Sequence, residues 1–524
     1  MKRILILLVL IKSQIAFTQD RPIDVQHYRF EISLSDSTNR IEGRAYITAR
    51  FLGPASEVTF DLINPKNDTG MLAYRAFEGR RRLGSVQRDN KITLTLDKKA
   101  KPGDVRTFEI QYSGIPRDGL IISKNKYGDR TFFADNWPDR ARNWIPCVDD
   151  PADKASVEFK VTAPSKYGVV SNGVLVYQKN HEDGNMSTEW KETALLPTKV
   201  MVIGVADFAV QQLGDTLGVA VSSWVYPKDK EKLFYDYALA KDMLPYFIKN
   251  IAPFPYRKLA NVQSKTIFGG MENAGCIFYS EAVVSGKRES EDLLAHEIAH
   301  QWFGNTATEK SFAHLWLSEG FATYFTDLYF LDKYGQDAMN TRLKEERDQV
   351  IKFSKRSKLP VVDSLTKNFM QLLNANSYQK GAWSLHMLRG LLGHATFMNG
   401  VRAYFKQYGG GNASTDDFRK VMEQASGKDL SGFFRQWLYT AGHPVLQVKQ
   451  DLDATAGRLT LTVTQQQPTA FSFPLEVQVQ TAAGAVVKTF QVSQQQQVFT
   501  VDGVTGSEIV LDPGTRLLFE VAMK

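Results

Sequence analysis

Residues 290–305 run Ser290-Glu291-Asp292-Leu293-Leu294-Ala295-His296-Glu297-Ile298-Ala299-His300-Gln301-Trp302-Phe303-Gly304-Asn305. Acids crowd the start, apolar residues recur at helical spacing and a glycine follows, the pattern of an amphipathic helix. On a helix, positions i and i+4 stand one turn apart on one face, so His296 and His300 can grip a single metal ion. Glu297 can lie beside that ion without binding it. After eighteen intervening residues His300 is followed by Glu319, inside a second helical stretch, Leu315-Trp316-Leu317-Ser318-Glu319-Gly320-Phe321-Ala322-Thr323-Tyr324. Two imidazoles and a carboxylate from neighbouring antiparallel helices make a three-ligand site with one position open, which suits catalytic zinc. Water on such an ion has a pKa of about 7, and Glu297 can take its proton as it attacks a carbonyl.

Upstream of this centre the pattern is β. Within 27–34, Tyr28, Phe30, Ile32 and Leu34 alternate with polar neighbours, the period of a half-buried strand. Further strands are expected near 41–49, 57–62, 91–96, 106–112, 157–161 and 200–206, punctuated by Asn172-Gly173 and Asp183-Gly184. Beyond Pro227 helical spacing takes over, at 231–251, 289–303, 313–333, 379–392 and 415–425. From Val445 short alternating strands return, consistent with a small sandwich. The expected fold is multidomain α+β. An N-terminal antiparallel β domain covers 20–206, a mostly helical catalytic domain 207–444 and a C-terminal β-sandwich 445–524.

A length of 524 residues fits about three domains, and 43% hydrophobic with 23% charged residues excludes disorder, collagen and a polytopic membrane protein. The formal charge of +7 falls to +4 without Lys2, Arg3 and Lys12, too mild to argue for nucleic acid. Residues 1–19 combine a basic start with the apolar run 4–11. That run is too short for a membrane span, which needs about 20 residues, and fits a secretory signal peptide. Export to a periplasmic or extracellular space is therefore expected, with no stable membrane span. The two cysteines, Cys147 and Cys276, are read as free, and His314 and His386 as packing residues.

The stretch HEIAHQWFGN at 296–305, followed by the Glu319 of WLSEGFATY, resembles the M1 family of zinc aminopeptidases, the gluzincins. Gly269-Gly270-Met271-Glu272-Asn273 resembles that family's G-x-M-E-N exopeptidase motif, and Tyr378-Gln379-Lys380-Gly381 its Y-x-K-G motif. Residues 142–151 resemble its N-domain signature, so the resemblance runs from about residue 24 to Pro444. It implies a thermolysin-like catalytic domain with one Zn²⁺ on His296, His300 and Glu319, and Glu297 as general base. The implied substrates are peptides with a free N-terminus, bound along Gly269, Gly270, Met271, Glu272 and Asn273. The chemistry of these residues agrees with that role. A carboxylate such as Glu272 senses an α-ammonium by charge-assisted hydrogen bonding, and glycines let backbone approach substrate closely. The Tyr378 phenol can donate to an oxyanion without adding charge.

The sequence also departs from the family. A carboxylate seven residues beyond the glutamate ligand commonly orients a zinc histidine; here that position is Thr326, with Asp327 beside it, and either is a candidate. A second amine anchor five residues before Arg142 is replaced by Trp137. Asp135 or Asn136 can take over, or Trp137 can wall the pocket for the first side chain. Many members continue into a helical lid domain, whereas the pattern after Val445 is β, so a more open cleft is expected. An endopeptidase would use the same centre, but Glu272 argues against it. The family's epoxide-hydrolysing branch, by the same resemblance, uses a carboxylate shortly before the tyrosine, and 364–377 contains no acid.

Overall fold

The computed structural model describes residues 22–521, so the expected signal segment lies outside the described residues. The N-terminal region is built on an eight-stranded sheet. Its strand Ile23–Ser33 buries Val25, then shifts phase at a bulge and buries Tyr28, Phe30 and Ile32. That strand pairs antiparallel with Ile41–Phe51 but parallel with Ala155–Pro164. The sheet is therefore mixed at this one edge of the strand, because the long intervening chain permits the crossover that a parallel pair requires. In the segment 142–151, Arg142 pairs with Asp149 at 3.2 Å, a structural bond within the fold.

The catalytic region opens with β structure that the sequence pattern did not reveal. Strands Ala209–Thr216, Val219–Val225, Lys258–Ser264, Cys276–Ser280 and Gly270–Met271 form a five-stranded sheet in that order. Lys258–Ser264 is buried at every position and parallel to both neighbours, and a strand covered on both faces shows no alternation. The two-residue strand Gly270–Met271 lies antiparallel at the sheet edge and leads directly into Glu272.

Among the described residues nine α-helices follow the sheet's first strands: α1 Lys230–Tyr237, α2 Leu239–Asn250, α3 Glu291–Ala299, α4 Trp316–Tyr334, α5 Gln336–Ser354, α6 Gly381–Leu392, α7 His394–Tyr408, α8 Thr415–Ser426 and the single turn α9 Ser431–Phe434. The stretch expected as one helix at 231–251 is divided at Ala238. Helix α4 runs through the core, with all of Trp316–Tyr329 buried. It crosses α6 through two glycines: a Cβ on Gly320 would lie 2.8 Å from the Gly381 Cα. Beyond Val445, strands form a four-stranded and a three-stranded sheet, the expected small sandwich. No helix among the described residues is long and apolar enough to cross a membrane.

Candidate active site

Helix α3 presents His296 and Glu297 and ends as His300 caps it, while α4 presents Glu319 in its first turn. The Nε2 atoms of His296 and His300 lie 2.9 Å apart, and Glu319 Oε2 stands 3.5 and 3.2 Å from them. Tetrahedral zinc with bonds of about 2.0–2.1 Å spaces its donors about 3.3 Å apart, so this donor set fits that ion. His300 Nδ1 lies 3.1 Å from both the Phe303 carbonyl and Ser318 Oγ. A carbonyl only accepts, so Nδ1 carries a hydrogen, and Nε2 is the atom left to face Glu319 and a metal. Burial would lower the His300 imidazole, but Glu319, with Glu272 and Glu297 behind it, raises it to about 10. Burial would likewise raise Glu319, yet His300 and His296 hold it below the usual carboxylate range. Three buried carboxylates around two imidazoles leave the centre short of positive charge, as a divalent cation requires.

Glu297 is buried against Gly270, where an added Cβ would lie 2.3 Å from its Oε1. Gly270 thus makes room for Glu297 rather than for substrate, while a Cβ on Gly269 would meet only Leu293 at 3.9 Å. Burial raises the Glu297 carboxyl well above its ordinary value; His300 opposes this, and Glu272 and Glu319 add to it. Gly270→Ala should displace Glu297 and lower kcat on the order of 10²-fold, the cost of misplacing a reacting group by about an ångström. Steady-state kinetics with metal content held constant would check it, and an unchanged kcat would refute this role for Gly270.

Glu272 is 6% exposed, and its Oε1 has no hydrogen-bond partner among the described residues. Its backbone is held firmly. The Glu272 carbonyl accepts from Gln301 Nε2 at 2.9 Å and Asn305 Nδ2 at 2.5 Å. From the N-terminal region, Asn172 Nδ2 donates to the Ala274 carbonyl at 2.9 Å. Met271 lines the cleft beside Glu272, whereas Asn273 is wholly buried outside the cleft wall. Tyr378 sits in a π-helical turn, Asn376–Lys380, a form common at functional sites. Asn376 Nδ2 anchors this turn to the Leu359 carbonyl at 2.9 Å, and Lys380 Nζ anchors it to the Gly442 carbonyl at 2.7 Å. The Tyr378 ring stacks on His296 at 5.9 Å. Burial, then Glu319, Glu272 and Glu297, raise its phenol well above the ordinary value, so it keeps its proton.

These groups share a cavity of about 230 Å³ whose apolar wall is Trp137, Phe268, Met271, Leu293 and Leu373. Neither proposed substitute for the second amine anchor is free. Asp135 binds Arg140 at 2.7 Å and accepts from Ile267 N at 3.0 Å. Asn136 donates to the Met201 carbonyl at 2.6 Å and accepts from Trp144 Nε1 at 2.8 Å. Trp137 takes the wall position instead, edge-on to Phe268 and Phe312. The expected orienting pair is also engaged elsewhere. Thr326 donates to the Ala322 carbonyl of its own helix, and Asp327 binds Arg342 at 2.7 Å. Phe303 and Ser318 orient His300 in their place. Sequence reasoning missed Ser318 and Gln301, although Gln301 lies one turn beyond Glu297 and Ser318 adjoins Glu319. Cys147 and Cys276 are buried and free. His386 bonds Tyr324 Oη and the Thr515 carbonyl, and His314 bonds Thr415 Oγ1, all packing contacts.

Two family models match the chain, the Peptidase M1 N-terminal domain over residues 24–200 and the Peptidase family M1 domain over residues 235–437. The chain belongs to peptidase family M1. Among relatives of this M1 chain, aminopeptidase M1 of Arabidopsis thaliana is 28% identical over 60% of the chain and 37% of its own length. Aminopeptidase A of Legionella pneumophila, solved with aspartic acid, superposes with a TM-score of 0.83 at 17% identity, covering 97% of this chain and 60% of that one. A mutant M1 zinc metallopeptidase from Deinococcus radiodurans superposes at 0.69 with 23% identity, over 81% of this chain and 96% of that one. The M1 chain spans less than half the length of the curated relatives it matches, 37% and 46% of the first two.

Proposed function

We propose that the chain is an exported, zinc-dependent aminopeptidase that removes the first residue from peptides. The observation that carries this is Glu272: a buried carboxylate oxygen with no hydrogen-bond partner among the described residues, in one cavity with a His-His-Glu triad. Burying a charge without compensation is costly, and an incoming α-ammonium supplies the missing partner. His296, His300 and Glu319 would hold the zinc, and the M1 zinc metallopeptidase likeness supports that ion. Zinc, when bound, supplies Lewis acidity at the scissile carbonyl. Glu297 accepts the proton of the attacking water and returns it to the leaving amine. Tyr378 donates a hydrogen bond to the developing oxyanion. Trp137, Phe268 and Leu373 suit an apolar first side chain, and no lysine or arginine among the described residues lines this cavity. The basic and apolar pattern of residues 1–19 supports export.

Matched peptides with free and acetylated amino ends test the proposal. The free peptide should lose its first residue while the acetylated one stays intact. Equal cleavage of both would favour an endopeptidase and overturn the role given to Glu272.

A further inference from the structure

A second cavity, of about 330 Å³, adjoins the first and shares Leu293, His296 and Tyr378 with it. With the amino end of a peptide at Glu272, the scissile bond lies between His296 and Tyr378. The chain beyond that bond then enters the second cavity. We propose that this cavity is a subsite selecting lysine or arginine as the residue that follows the one removed. The inference rests on the aminopeptidase function proposed above and adds a second-position preference to it.

One face of α5 builds the subsite. Arg342, Glu345, Glu346 and Gln349 are spaced i, i+3, i+4 and i+7, which brings them to one side of a helix, and all four line the cavity opposite Asp292 of α3. The single cation among them is already engaged: Arg342 Nε binds Asp327 at 2.7 Å, and its Nη1 lies 3.9 Å from Asp292. Glu346 is 5% exposed and lines the cavity, and its carboxyl is hydrogen-bonded to Asp327. Burial, and then Asp327 beside it, raise the Glu346 carboxyl well above its ordinary value, so it is counted as neutral. Of the other charges lining the cavity, Asp292 and Glu345 outnumber Arg342, which the buried Asp327 already pairs. Glu345 is exposed at the mouth, where its carboxylate meets solvent. A lysine or arginine side chain entering here brings apolar methylenes past Leu293 and a positive head to these acids. A glutamate side chain would meet like charge, which opposes binding.

The test holds the first residue fixed and compares kcat/KM for the tripeptides Leu-Lys-Ala, Leu-Ala-Ala and Leu-Glu-Ala. Lysine should exceed alanine on the order of tenfold, with glutamate slowest, and the spread should narrow as salt screens the charges. Glu345→Lys changes an exposed position and should reverse the lysine-to-glutamate ratio. Equal rates for the three tripeptides, or a ratio that Glu345→Lys leaves alone, would overturn the subsite. Failure to cut any of them would instead remove the aminopeptidase function, and this inference with it.

Discussion

Glu297→Gln should leave the metal content of the protein unchanged and lower kcat roughly 10³-fold, within the range for loss of a general base. The substitution keeps the side chain's shape against Gly270, where there is no space for rearrangement. It removes only the capacity to take a proton. Glu297 lies outside the His-His-Glu triad, so the donors that hold the ion are untouched. Metal analysis of purified protein and saturation kinetics separate the two effects. A kcat within tenfold of the parent would remove Glu297 from proton transfer, and a loss of metal would reassign it as a structural support of the triad.

Stripping the metal should abolish peptide cleavage and lower the melting temperature by several degrees, both reversed by one equivalent of zinc. The stability arm follows from charge. Glu272, Glu297 and Glu319 are all buried around one centre, and without a cation their repulsion is relieved only by protonation or by loosening of α3 against α4. A ligand present at about a thousand times its dissociation constant stabilises the folded state by about 4 kcal/mol. Differential scanning calorimetry with and without zinc would read the shift. Full cleavage by protein proven free of metal would sink the triad as a catalytic centre.

The parts of the site legible in the sequence were those that one helix places by itself. His296, Glu297 and His300 follow from helical geometry, and Glu319 from a second periodic stretch at a family spacing. Contacts made across the fold were hidden. Asp327 looked available until α5 brought Arg342 to it. Asp135 and Asn136 looked equally available, yet Arg140, Ile267, Met201 and Trp144 occupy them. The N-terminal strands were readable because one face is solvated, whereas Lys258–Ser264 was not, because burial on both sides removes alternation. The π turn at Tyr378 gave no periodic sign, since it spans only Asn376–Lys380, too few residues for a period to show.

Where α4 and α6 cross, Gly320 and Gly381 bring two bare main chains into contact. Glu319 directly precedes one glycine, and the turn carrying Tyr378 ends at the other. The gap between ligand and phenol is therefore ruled by backbone, which has no rotamers to exchange. The aromatic residues packed around this crossing can trade volume with one another while the gap stays fixed, so catalytic spacing is insulated from ordinary drift in the interior. A single methyl group at either glycine would act as a wedge and break that insulation.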